Sequence, residues 1–152
     1  MFKLVDKLSG FLIKHKWLYY ILLYTWALPL TLIGWVIALF LLIIGKKPQN
    51  YHGMCMFRVK ERWGGFSIGQ VIVRDTTSSD KEINPHEYGH SFQLAIFGFF
   101  TLFLVIIPSV IRYWYRELKY ERKLKIPPTD YDDIWFEGSA TYVGNKAVEV
   151  IK

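Results

Sequence analysis

His86, Glu87 and His90 stand in the order His-Glu-x-x-His. On a helix, positions i and i+4 share one face, so both imidazoles can reach a single metal ion. Glu87, one residue on from His86, is then the general base that addresses a water at that metal. The plainer alternative is that these polar groups only cap an amphipathic helix at a membrane surface. Burying His and Glu without partners is costly, which favours the metal. Cys55 is the only cysteine, so neither an intramolecular disulfide nor a cysteine-based zinc site is open, and any metal must use His and carboxylate.

A catalytic zinc needs a third protein ligand and one open position. His15, His52 and the carboxylates after residue 90 are the candidates. Glu137 stands out as a lone acid in Trp135-Phe136-Glu137-Gly138-Ser139-Ala140-Thr141. The small residues Gly138, Ala140, Thr141 and Gly144 would let that segment approach the His86 and His90 helix closely. A first-turn Glu can also serve merely to complement the helix dipole. Asp130, Asp132 and Asp133 already fill that role, so Glu137 is the expected ligand.

The elements that must position these groups follow from the pattern of apolar residues. At 152 residues the chain suits one domain, 1–152. Residues 17–44 hold no charge over 28 positions, about 42 Å as one helix against a hydrocarbon core of about 30 Å. The run suits either one tilted span or a shallow hairpin broken near Pro29 and Gly34. Residues 54–60 and 66–74, rich in Val, Ile and Phe, predict a β-hairpin over 54–75 around Trp63, Gly64 and Gly65. Asn84-Pro85 predicts a helix start at His86 or one residue before, with Asn as cap and Pro in the first turn. The segment 84–111 continues into an apolar stretch broken by Gly98 and Pro108. The acidic start near residue 130 predicts a last helix through 150, carrying Glu137. The expected fold class is an α+β membrane protein, mainly α-helical, with hydrophobic hairpin or re-entrant helices and a small sheet before the metal-binding helix.

An H-E-x-x-H motif followed by E-x-x-A on a later helix resembles the gluzincin metallopeptidases. The hydrophobic extension after His90 is similar to their integral-membrane branch, which includes the prenyl-protein (CAAX) endopeptidases and the heat-shock membrane proteases. The resemblance covers residues 64–144. It implies a zinc-dependent metalloendopeptidase with Zn²⁺ on His86, His90 and Glu137 and with Glu87 catalytic. It also implies a Tyr or His donor for the oxyanion, for which Tyr142, Tyr88 and His52 are candidates, with Tyr142 grouped beside Glu87. An edge strand there binds substrate peptide by β-augmentation, which assigns that role to Phe66, Ser67, Ile68, Gly69, Gln70 and Val71 within 66–73. Two departures stand out: Thr141 replaces the Asp of the usual E-x-x-A-D, and the pair of full spans between the histidines and the Glu is absent.

If residues 94–111 crossed a bilayer, His90 and Glu137 would emerge on opposite sides. A shared ion therefore predicts a re-entrant or shallow helical pair. Lys and Arg number seven in 46–93 and eight in 112–152, against four before residue 17. The positive-inside rule puts the metal-bearing side in the cytoplasm of an integral protein of the inner or cell membrane. Net charge of +6 is expected to meet anionic lipids rather than nucleic acid, because basic residues flank apolar runs and no compact reader module is present. A peptide or membrane-protein substrate and a homodimer are the further partners expected. The rival readings are a non-catalytic membrane adaptor of immunity type and a zinc hydrolase of another amide or ester.

Overall fold

The computed structural model describes residues 1–59, 64–76, 80–123, 125–127 and 129–150. Three helices open the chain: α1 (Phe2–Lys14), α2 (Lys16–Tyr24) and α3 (Leu28–Ile43). Four strands follow, β1 (Gln49–Tyr51), β2 (Met54–Val59), β3 (Gly65–Ile68) and β4 (Val71–Asp75), and then α4 (Asp80–Phe97), α5 (Ile107–Lys119) and α6 (Trp135–Val150). The protein is mainly helical, with one small mixed sheet.

The expected hairpin over 54–75 is corrected. The sheet order is β1-β2-β4-β3, and β2 pairs with β4 in parallel. The hairpin is β3–β4, because residues 66–74 are two strands rather than one. Gly69, at φ +61°, turns the chain there, and the Thr31 backbone lies where a side chain would be. Gln70 fastens the turn: its Nε2 donates to Gly53 O at 2.7 Å, and its backbone carbonyl accepts from Cys55 N at 2.8 Å. The expected turn residue Trp63 lies outside the described residues.

Every residue of β4 is buried, and its side chains alternate between two cores. Val71 and Val73 pack with Phe57, Ala38 and Leu41, placing α3 on one face of the sheet. Ile72 joins Met54, Met56, Tyr88 and Phe92 on the other face, beneath α4. Each such side chain contributes about 1.5–3 kcal/mol by leaving water, which holds the α4 face at a set height above β3.

α4 starts at Asp80, earlier than Asn84-Pro85 implied. Asn84 is not a cap: it is buried, and its Oδ1 accepts from the buried Arg74 Nη1 at 2.8 Å. Ile83 also packs against Gly65. These anchors carry the helix past Pro85 despite an interior cost of about 3 kcal/mol. The last helix begins as a short turn, Tyr131–Asp133, whose Asp130 and Asp133 form a reciprocal capping box, and continues as α6 from Trp135.

Among the described residues, no single helix is long and apolar enough to cross a membrane. Two helix pairs satisfy length and composition only when taken together, and both are bent: α2 against α3 by 86°, and Ile83–Phe100 against Leu102–Lys119 by 118°. The first break falls between Tyr24 and Leu28, before Pro29 rather than at Gly34, because Pro29 opens α3 and Gly34 lies inside it against the Ile68 carbonyl. The second break opens at Gly98, at φ +57°, where Trp26 closes over the missing side chain and donates from Nε1 to Ile96 O at 3.3 Å. A π-helical turn, Leu102–Ile106, then leads into α5.

Candidate metal centre

The contact between α4 and α6 brings the three expected ligands together. A Cβ on Gly89 would lie 1.9 Å from Ala140 O, and one on Gly144 would lie 1.7 Å from Pro85 O, so the two backbones touch only because both positions are glycine. Gly138 serves elsewhere, against Asp132 O. At this separation Nε2 of His86 and Nε2 of His90 each lie 3.2 Å from Glu137 Oε2 and 3.1 Å from one another. Glu137 is fully buried and the histidine side chains are mostly so. His86, His90 and Glu137 thus form a group that could hold a metal ion.

The polar atoms behind the ligands are satisfied. His90 Nδ1 lies 2.7 Å from Gln93 Oε1, while the amide of Gln93 donates to Phe136 O at 2.6 Å and to Ser139 Oγ at 2.8 Å. With the amide nitrogen spent, Gln93 can only accept from His90, which puts the proton on Nδ1 and the lone pair of the neutral ring on Nε2. His86 Nδ1 meets Thr141 Oγ1 at 2.8 Å, so the residue that departs from E-x-x-A-D still holds the His86 ring in place. The other carboxylate oxygen of Glu137 accepts from Ser109 Oγ at 2.5 Å and from the Tyr131 hydroxyl at 3.2 Å.

These contacts move protons. Burial alone would lower the pKa of His90, but its hydrogen bond to Glu137 and the charges of Glu87 and Glu137 push it up to about 9. Burial would raise Glu137, yet hydrogen bonds from His86, His90 and Ser109 hold it well below the usual carboxylate range. Burial and the Glu137 charge raise Tyr131 above its ordinary value, keeping the hydroxyl protonated.

A cavity of about 100 Å³ opens on His86 and His90, with Glu137 buried behind them. Glu87 lines it, is 5% exposed, and has a buried Oε2 with no hydrogen-bond partner among the described residues. Such an orphan is rare in a folded chain and calls for a solvent or ligand partner. The opposite wall is β3, where Phe66, Ser67 and Ile68 line the cavity and Ser67 Oγ donates to Glu87 O at 2.8 Å. Leu94, Val105, Ile106 and Val110 form an apolar end.

Four expected site residues are placed elsewhere. Gly69 and Gln70 form the β3–β4 turn, and Val71 lies in the interior strand β4, so only Phe66, Ser67 and Ile68 stay at the sheet edge. Tyr142 is on the far side of α6, exposed, its ring against Phe2 and Lys146. A step of one residue from Thr141 turns the helix by about 100°, which carries Tyr142 off the ligand face. Tyr88 and His52 stack on each other, and neither lines the cavity. His15 joins α1 to α2 and packs on Phe11. Tyr131 is the tyrosine that lines the cavity, with its hydroxyl on Glu137 Oε1. It, Gln93 and Ser109 carried no spacing signal, since each comes from a different turn of chain around the ligands.

No protein family, curated protein or solved structure matches this chain.

Proposed function

We propose that this protein is a membrane-associated zinc metalloendopeptidase that hydrolyses peptide bonds in membrane-bound or membrane-proximal chains. The observation that carries the reading is the convergence of His86, His90 and Glu137 beside the unpartnered Glu87 oxygen. Two imidazoles and one carboxylate are a donor set of catalytic zinc sites. Ligand atoms about 2.0–2.1 Å from a tetrahedral zinc lie about 3.3 Å apart, and the three here lie 3.1–3.2 Å apart. Zinc held there would supply the Lewis acidity that acidifies a water and polarises a carbonyl.

The chain's own residues do the rest. Glu87 receives the proton of the attacking water on Oε2, which has no partner among the described residues, and returns it to the departing amine. Tyr131, kept protonated, offers a hydroxyl beside the ligands for charge developing on the carbonyl oxygen. Register places Gly65 and Ser67 at the positions of β3 whose backbone groups point away from β4, because Gly64 O accepts from Asp75 N at 2.8 Å and the pattern alternates from there. An extended peptide pairing with Ser67 would run past Glu87 and the triad. The bend after α4 supports a re-entrant rather than a crossing segment, and the excess of Lys and Arg on the metal-bearing side supports a cytoplasmic site.

The test is metal analysis of detergent-purified protein, together with cleavage of a membrane-anchored reporter peptide. One zinc per chain, lost or weakened in Glu137→Gln and His90→Ala, with cleavage abolished but zinc retained in Glu87→Gln, is the expected result. Absence of zinc under chelator-free conditions would leave the adaptor reading. Zinc without peptide cleavage would leave the hydrolase of another amide or ester.

A further inference from the structure

α5 is assembled inside out. Its polar side faces the protein: Arg112 Nη2 donates to Asp130 O at 2.7 Å and to Tyr131 O at 3.0 Å, Arg116 Nη1 donates to Thr129 O at 2.7 Å, and Ser109 reaches Glu137. Its apolar side faces outward, and no residue of the helix is buried. Ile107, Val110, Ile111, Trp114, Tyr115 and Leu118 are all exposed. At 100° per residue they fill an arc of about 140°. Helices of water-soluble folds turn such a stripe inward, and a contiguous exposed one marks an interaction surface.

We infer that α5 lies flat in an anionic membrane surface, with this stripe among the lipids and the metal-bearing pocket held behind it at headgroup depth. The inference rests on the membrane reading above but not on the metal or on hydrolysis. Thirteen residues span only about 20 Å, too short to cross a core of about 30 Å. The charge fits the occupant: residues 107–125 carry six Lys and Arg against two Glu, and Lys119, Arg122, Lys123 and Lys125 are exposed where α5 ends. Trp114 and Tyr115 have the amphipathic rings that settle at headgroup depth. The apolar surface also continues into the preceding bend, where Phe99, Phe100, Phe103 and Leu104 are exposed while Thr101, Val105 and Ile106 turn in to line the pocket. One layer of chain therefore separates the pocket from the proposed lipid, and Val110 belongs to both surfaces.

The test uses the full chain with Cys55→Ser and single nitroxide-labelled cysteines at Ile107, Ile111, Trp114 and Leu118, with Lys119 as the reference. The protein is reconstituted in vesicles of equimolar phosphatidylcholine and phosphatidylglycerol. Collision with oxygen relative to a water-soluble nickel chelate should rise several-fold at all four stripe positions over Lys119, with no trend from Ile107 to Leu118. In pure phosphatidylcholine the Leu118 label, nearest the cationic end, should shift toward water. A steady depth gradient along the stripe would mean that α5 crosses the bilayer, nickel access at every position would mean a water-facing surface, and spin–spin broadening would mean a second copy; each overturns the inference. Equal depths in the two lipid mixtures would overturn its anionic part. Zinc measured on the same vesicles separates the two readings, because lost depth with retained zinc sinks only the docking, and lost zinc with retained depth sinks only the metal centre.

Discussion

Replacing Gly89 with alanine adds one methyl group to the surface on which α4 meets α6. The new Cβ would stand 1.9 Å from Ala140 O, and Cβ atoms essentially never come within 3.0 Å of a heavy atom, so the helices must part by about 1.1 Å. Helix propensity argues the opposite way, since alanine is favoured over glycine inside a helix by about 0.8–1.0 kcal/mol. Propensity alone therefore predicts a more stable protein, whereas overpacking predicts a loss of about 1–3 kcal/mol. The metal centre makes the contrast sharper. Gly89 adjoins His90 and Ala140 is one turn from Glu137, so the gap opens between ligand atoms now 3.1–3.2 Å apart. Metal–ligand distances tolerate only about 0.2 Å. Glu137 should drop out, and because perturbing an outer-shell partner alone weakens binding about 10–100-fold, losing a ligand should cost at least about 100-fold. A chelator-competition titration of zinc, paired with thermal melting with and without the metal, measures both effects. Gly10→Ala is the control, since its Cβ would meet only Lys146 Nζ at 3.8 Å. Unchanged zinc affinity and melting in Gly89→Ala would refute the claim that this glycine contact sets the ligand spacing.

Gln93→Leu leaves His90 Nδ1 without its acceptor and should lower zinc affinity about 10–100-fold, read by the same titration. Thr141→Val should act similarly through His86, and a double variant no worse than either single one would contradict independent orientation of the two rings. Tyr131→Phe should leave zinc content intact and reduce the turnover of a reporter peptide by about 10²–10³-fold; loss of zinc instead would mark Tyr131 as a support of Glu137. In metal-free protein the elevated pKa of His90 contributes stability that is complete below its ordinary value near 6.5 and is lost as pH rises through about 9. The melting temperature in chelator should fall across that window, and the zinc-loaded protein, whose His90 would stay neutral throughout, should show no such fall.

The convergence of His86, His90 and Glu137 could be anticipated from residue types because the chemistry restricts them: in a cysteine-poor chain a metal would need His and carboxylate, and Glu137 was the one acid among small and apolar neighbours. What lay beyond reading was the support of those ligands. Gln93, Ser109 and Tyr131 are ordinary polar residues whose meaning comes only from tertiary contact: Gln93 from the packing of α4 on α6, Ser109 from the bend that returns α5 to α6, and Tyr131 from the turn before α6. The sheet was misread for a related reason. Val, Ile and Phe content marks residues 54–60 and 66–74 as strand-forming, but β4 is buried on both faces and therefore continuous in its hydrophobicity, so the Gly69 turn inside the second run and the parallel pairing with β2 left no periodic mark. Tyr142 shows the limit of proximity in sequence, since one residue past Thr141 already faces away from the pocket.

The bend itself explains how so short a chain can assemble the site. A histidine pair and a glutamate on sequence-distant helices must meet on one side of whatever the intervening segment does, and two full crossings need roughly 40 apolar residues. Only residues 94–111 are apolar here. The chain meets the requirement by folding back through 118° at Gly98 and the π-helical turn, with Trp26 filling the space over the glycine. Thr101 Oγ1 donates to Gln93 O at 3.4 Å inside this turn, so the residue that orients His90 is also tied to the bend. Gly98→Ala would set a methyl group 2.3 Å from Trp26 Nε1 at a positive φ, and should straighten the turn. If the bend brings Ser109 to Glu137, that variant loses zinc affinity although it lies eight residues from the nearest ligand. Retained affinity would mean that α4 and α6 hold the centre without it.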